Sequence, residues 1–185
     1  MLLKQIIKDT PAVSPASFFY VYDFETPLGM LHAIADDQTL HFLQFKDEIK
    51  NYSAFITFLH SNQSFITEKN KILLVVEDQL ERYFKGTLTS FAVPLITVGT
   101  VFQNEVWKSL TLIEYGSTIT YQQQAVSLKR PRSFRAVANA NGANKIALII
   151  PCHRVIQTSG LLGGYAGGAA RKQWLLNHER TVNFL

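Results

Sequence analysis

The spacing of apolar and polar positions divides the chain into a first half of alternating stretches and a second half of helical ones. From Phe24, FETPLGMLHAIADDQTLHFLQF alternates β-forming residues around two turn signals, Pro27-Leu28-Gly29 and Asp36-Asp37, and reads as a hairpin of two strands. Further on, ILLVVEDQLERYFKG places Leu80, Tyr83 and Phe84 at helical intervals, with Gly86 where a left-handed cap ends a helix. TSFAVPLITVGT is extended and loop-like. It puts a boundary near Pro94 to Thr100 and suggests two domains, residues 1–97 and 98–185.

In the second half, VFQNEVWKSLTLIEYG brings Phe102, Val106, Trp107 and Leu110 onto one helical face, and Gly116 is placed to end that helix. Two short helical segments follow, separated by the Lys-Arg-Pro break at 129–131. Thr120 with Gln123 fits a capping box for the first, Pro131 suits the opening of the second, and Gly142 falls just beyond its end. The pair has the outline of a helix-turn-helix, and Arg132 and Arg135 share a face of its second member. Ala136, Ala138 and Ala140 keep that helix thin, either to approach a groove or to pack against a neighbour. IALII at 146–150 reads as a buried strand ended by Pro151, and it delivers Cys152 to the mouth of the core.

Composition adds a class and a polarity. With 185 residues and 47 % hydrophobic content, the chain can bury a full core without staples. No apolar run approaches the roughly 20 residues that cross a bilayer. The opening MLLKQIIKDTP is too short and too charged for a signal peptide, so the expectation is a cytoplasmic protein, near the nucleoid if bacterial. The net charge of +4 is unevenly spread. Residues 1–100 carry 8 Lys+Arg against 11 Asp+Glu, whereas 101–185 carry 10 against 3, and no acid lies between Glu114 and Glu179. A one-sided basic field suits a polyanion.

The single cysteine, Cys152, excludes an internal disulfide and falls short of a zinc site, leaving a buried small hydrophobe or a working thiol. His153 and Arg154 are the adjacent groups that could favour a thiolate, although neighbouring side chains diverge, so His153 serves Cys152 only across a turn or through a bridging water. The glycine-rich TSGLLGGYAGG lacks a phosphate-binding signature and suits a loop lining a pocket, with Tyr165 among the glycines. In the helix that follows, Glu179 lies on or beside the apolar stripe of Leu175 and Leu176, where a carboxylate would seek a partner such as His153.

Together FQNEVWKSL, YGSTITYQQQA, RAVANANGAN, IIPCHRVI and GGYAGGAARKQWLLNHE resemble, in order and spacing, the 6-O-alkylguanine-DNA alkyltransferases, also called methylated-DNA-protein-cysteine methyltransferases. TPLGMLHAIA and LERYFKG extend the likeness more loosely into the first half. The resemblance implies an α+β protein: an N-terminal ribonuclease H-like α/β domain, then a mostly helical domain with a DNA-binding helix-turn-helix and the active-site cysteine. It implies direct repair of double-stranded DNA, in which 6-O-alkylguanine, chiefly 6-O-methylguanine, is flipped out and its alkyl group passes irreversibly to Cys152. Whether 4-O-methylthymine is also repaired stays open. The expected protein is a monomer that acts once, with no metal, no cofactor and no membrane partner.

Residue by residue, the resemblance makes Cys152 the acceptor, with His153 and Glu179 a water-linked relay. Asn144 braces the turn before the active site, and Tyr121 donates a proton to the departing guanine. Arg135 takes the place of the extruded nucleotide, with Thr120 and Ala136 also at the DNA, while Val155, Tyr165 and Ala147 belong to the substrate pocket. Phe134 and Asn139 depart from the family pattern, which usually has small residues there, and Ala147 in place of a proline suggests room for alkyl groups larger than methyl. A lesion-binding module without transfer, a transcription factor and a cysteine hydrolase are the rival readings.

Overall fold

The computed structural model describes residues 7–8, 18–49 and 65–182, so most of the opening segment read above lies outside them. The chain forms two compact units, Met1–Thr97 and Val98–Leu185.

The first unit is built on a six-stranded sheet. Its strands are β1 (Ile7–Lys8), β2 (Phe19–Phe24), β3 (Leu31–Ala35), β4 (Leu40–Phe45), β5 (Phe65–Ile66) and β6 (Leu95–Ile96), in the order β1-β6-β4-β3-β2-β5. The two turn signals join three antiparallel strands rather than two, because the stretch from Phe19 pairs ahead of the first turn. At the second turn an Asp36 side-chain oxygen accepts from the backbone N–H groups of Gln38 and Thr39, at 2.7 and 2.6 Å. Strand β4 is flanked on both sides, by β3 and β6, and all six of its residues are buried. Helix α1 (Lys71–Phe84) turns Ile72, Leu73, Val76, Leu80 and Tyr83 inward. The Asn70 side chain caps it by accepting from Leu73 N–H and also donates to Asp36 O, so the helix start is tied to the β3–β4 turn. Gly86, at φ +73°, supplies the left-handed residue that ends it.

The second unit is mainly helical: α2 (Val101–Leu110), α3 (Tyr121–Ser127), α4 (Phe134–Gly142) and α5 (Ala169–Val182), with a short parallel pair β7 (Ile119–Thr120) and β8 (Val155–Ile156). Helices α2 and α3 both start with a capping box, Thr100 with Gln103 and Thr120 with Gln123. The Trp107 indole donates to Ala140 O at 2.8 Å and fastens α2 to α4. Buried between α3 and α4, Gln124 and Asn141 pair through their amides at 2.8 Å.

Several local expectations need correction. Helix α2 closes at Leu110, six residues before Gly116, which instead offers its N–H to Glu179. Helix α4 begins at Phe134, not Pro131, so Arg132 lies in the preceding turn and shares no helical face with Arg135. The apolar run 146–150 is not a strand. Leu148 sits at φ +64°, Ile149 N–H bonds to Ala147 O at 2.8 Å and Ile150 N–H to Ile146 O at 3.1 Å, so the run coils into compact turns. All five residues are buried all the same, which is why their hydrophobicity resembled that of a core strand.

Candidate active site

The coil at 146–150 is organised by one side chain. Asn144 is 2 % exposed; its Oδ1 accepts from Ile146 N–H at 3.0 Å, and its Nδ2 faces Ile150 O at 2.9 Å, Ile146 O at 3.3 Å and Cys152 Sγ at 3.2 Å. A chain that doubles back has few backbone partners of its own, and a buried amide able to donate and accept supplies them. Cys152 then opens a 3-10 turn, Cys152–Arg154, with its thiol 5 % exposed rather than at an open mouth.

Burial pushes the Cys152 thiol above its ordinary pKa, while the Asn144 hydrogen bond and the nearby Lys172 charge pull it back. His153 is fully buried. Its Nε2 lies 2.8 Å from Glu179 Oε1, and its Nδ1 has no hydrogen-bond partner among the described residues. Burial lowers the imidazole pKa despite the pull of Glu179, so the ring is neutral. With its Nε2 proton directed at the carboxylate, Nδ1 keeps a lone pair able to accept a proton.

Glu179 is buried and ionised. Desolvation works against the charge, but hydrogen bonds from His153 and Arg154 hold its carboxyl well below the usual carboxylate range. Arg154 grips it with Nε on Oε2 at 2.8 Å and Nη2 on Oε1 at 3.0 Å, and spends Nη1 on Ile113 O at 2.7 Å. Gly116 N–H adds a fourth protein contact at 3.1 Å.

The buried side of α5 runs Lys172, Leu175, Leu176, Glu179, the i, i+3, i+4, i+7 stripe of a helix, with a charge at either end. Lys172 is fully buried. Its Nζ donates to Val155 O at 2.6 Å and Gly164 O at 3.2 Å, and burial brings its pKa down to about 8. Gly164 O also accepts from the Tyr121 hydroxyl at 3.3 Å. Tyr121, half-buried at the start of α3, has its pKa raised by burial and by Cys152, so it stays protonated. Gly163, at φ +69°, passes so close to Tyr121 that an added Cβ would come within 3.0 Å of its ring.

Tyr121, Gly163 and Gly164 also line a cleft of about 750 Å³, together with Phe134, Arg135, Asn139, Gln157 and Tyr165 and no acidic residue, whereas Cys152, His153 and Glu179 are not among its lining residues. The Tyr165 ring stands edge-on to His153, and its hydroxyl is buried without a partner among the described residues. Arg135 and Ala136 are exposed on α4, whereas the Thr120 hydroxyl is engaged in capping α3. Val155 and Ala147 are buried and do not line this cleft: Val155 acts through the carbonyl that holds Lys172, and Ala147 belongs to the Asn144 turn. Ala147 therefore makes no room for larger alkyl groups in the wall of this cleft.

Two family models match the chain. Residues 19–97 match the 6-O-methylguanine DNA methyltransferase ribonuclease-like domain, and residues 101–181 match the DNA binding domain of the same family. The chain belongs to the 6-O-methylguanine DNA methyltransferase family.

Among similar proteins, the methylated-DNA–protein-cysteine methyltransferase of Salmonella typhimurium is 41 % identical over 159 residues, spanning 83 % of this chain and 91 % of the relative. That of Methanosarcina barkeri is 42 % identical over 161 residues, 86 % and 97 % of the two chains. The crystal structure of Mycobacterium tuberculosis OGT in complex with DNA superposes with a TM-score of 0.77 at 36 % identity, covering 88 % of this chain and 94 % of that one. The expected two-part α+β architecture, a ribonuclease-like unit with a sheet and a helical DNA-binding unit, is the architecture of this methyltransferase family. Sequence reasoning missed Arg154 as the main partner of Glu179 and missed Lys172 altogether. The repeat of Lys172 on the Leu175–Leu176 stripe was the available signal, and a lysine is ordinarily assigned to the solvent side by its charge.

Proposed function

We propose that the protein repairs DNA by taking the alkyl group of 6-O-alkylguanine, chiefly 6-O-methylguanine, onto Cys152 Sγ. The observation that carries this reading is the buried chain of groups behind the thiol: Asn144 on Sγ, then a neutral His153 with Nε2 on an ionised Glu179 and, among the described residues, no partner on Nδ1. A structural cysteine needs none of these. The thiol proton passes to His153 Nδ1, through a bridging water, and the resulting imidazolium is stabilised by Glu179. The thiolate attacks the alkyl carbon; the carbon–sulfur bond forms as the carbon–oxygen bond breaks, and the electron pair leaves with the guanine. Tyr121, held protonated, supplies a proton to that guanine, and the proton taken up by His153 afterwards restores the tyrosine, so overall the thiol exchanges its proton for the alkyl group and the base gains one proton. The thioether has no leaving group within reach, and each chain acts once.

The target carbon lies inside a stacked duplex, so the base must be extruded into the cleft beside Tyr121 and Tyr165. Exposed Arg135 on α4 is positioned to occupy the gap, with Ala136 beside it leaving room for the groove wall and Thr120 fixing the start of α3. Such a reaction places the protein in the compartment that holds the DNA, and among the described residues no helix is long and apolar enough to cross a membrane.

The test is mass spectrometry of the intact protein and its peptides after incubation with a duplex carrying one 6-O-methylguanine. The expected result is one methyl group per chain on the peptide containing Cys152, with guanine restored. Folded, reduced protein that binds the lesion and stays unmodified overturns the reading in favour of a recognition module.

A further inference from the structure

The faces of α4 are divided in a way that packing does not explain. Val137, Ala140 and Asn141 form its buried side. Phe134, Arg135, Ala138, Asn139 and Gly142 line the cleft on the other, at i, i+1, i+4, i+5 and i+8. Beyond its first turn this outer face carries no apolar side chain larger than alanine: Ala138 and Gly142 are small, Asn139 is polar, and a Cβ added at Gly142 would meet nothing within 4 Å, so the protein's own interior does not require that glycine. At the start of the helix the face rises sharply. Phe134 lines the cleft yet is 40 % exposed, and the Arg135 guanidinium lies over its ring at 5.7 Å from the centroid. A large apolar side chain is thus held at the end of a face otherwise made of small and polar residues, next to the one charged residue of the lining.

We propose that Phe134 acts with Arg135 as a second inserted side chain, stacking on a base beside the gap that the flipped nucleotide leaves in the duplex. This rests on the reading of α4 as the DNA-contacting helix. Every nucleobase presents a π face, and an aromatic ring stacked on one binds it with little regard to sequence. Apolar wedges are a recurring means of holding open a base step entered from the minor groove. The guanidinium over the ring fits the same arrangement: the cation–π contact narrows the positions open to Arg135, so that both groups enter the stack together. The commitment is to double-stranded DNA, because the lining carries a cation and no acid, and only a duplex has a stack to be held open.

The test compares alkyl transfer from a duplex and from a single strand carrying the same 6-O-methylguanine, for wild type, Phe134→Ala, Phe134→Trp and Arg135→Ala. Iodoacetamide reaction at Cys152 reports whether the thiol site is intact. Phe134→Ala is expected to lower the duplex-to-single-strand rate ratio about tenfold, and Phe134→Trp to restore it. An unchanged ratio in Phe134→Ala, with a reduced one in Arg135→Ala, overturns the proposal and leaves the α4 reading in place. Equal losses on both substrates in Phe134→Ala assign Phe134 a structural role and also overturn it. Unchanged ratios in both variants overturn the α4 reading itself.

Discussion

At Cys152 burial and charge act in opposite directions. Burial disfavours the thiolate, and the fully buried Lys172 ammonium, whose other partners are carbonyl oxygens, is the cation that favours it. Lys172→Met is expected to move the pH midpoint of the Cys152–iodoacetamide reaction upward by about one unit, as loss of one nearby opposite charge does. An unmoved midpoint would show that Lys172 acts only through its carbonyl contacts. Glu179 has a pKa far below its ordinary value, so its contribution to stability is complete above about pH 4.5 and is lost as pH falls through the depressed value. Glu179→Gln leaves the Arg154 guanidinium buried beside a neutral amide. Urea unfolding at pH 7 is expected to show a loss of about 3 kcal/mol, the scale of a broken buried ion pair, with slower alkyl transfer as well.

At the scale of elements, the turn between α4 and the cysteine is held by side-chain hydrogen bonds where a strand would use a ladder. Asn144→Ala removes the amide from Ile146 N–H, Ile150 O and Cys152 Sγ together, leaving buried backbone groups unpaired. The expected cost is about 3 kcal/mol in denaturant melts. The loop before α5 has a different constraint. At Gly163 an alanine meets both a left-handed backbone and the Tyr121 ring. Gly163→Ala is expected to destabilise by about 1–2 kcal/mol and to displace Tyr121. Alkyl transfer from DNA should then fall while iodoacetamide reaction at Cys152 holds, the split expected if Tyr121 serves the departing base and not the thiol. These two elements also mark the limit of legibility. The capping box at Thr120 was readable because its bonds span three residues, whereas the 146–150 coil depends on an amide reaching six and eight residues along the chain.

For the whole molecule, charge is the property that sequence order already distributes. Residues 101–185 carry an excess of seven positive charges and include every residue that lines the cleft. Duplex affinity is expected to drop about tenfold or more between 50 and 200 mM salt, measured by fluorescence anisotropy, because each phosphate neutralised releases counterions. A flat salt response would contradict an electrostatic DNA face.

The sequence by itself determined what depends on neighbours within a turn or two: the α1 stripe and its Gly86 cap, the α3 capping box, the two turns of the sheet, and the run of motifs around Cys152. It also carried the right suspicion about Glu179, since Leu175 and Leu176 fix that helix face. Only the tertiary structure decided what the charges do. Glu179 meets Arg154 across 25 residues and His153 across 26, and Lys172 reaches Val155 O across 17. A periodic pattern records which face of an element is buried; which polar groups meet inside is set by the packing of elements far apart in the chain.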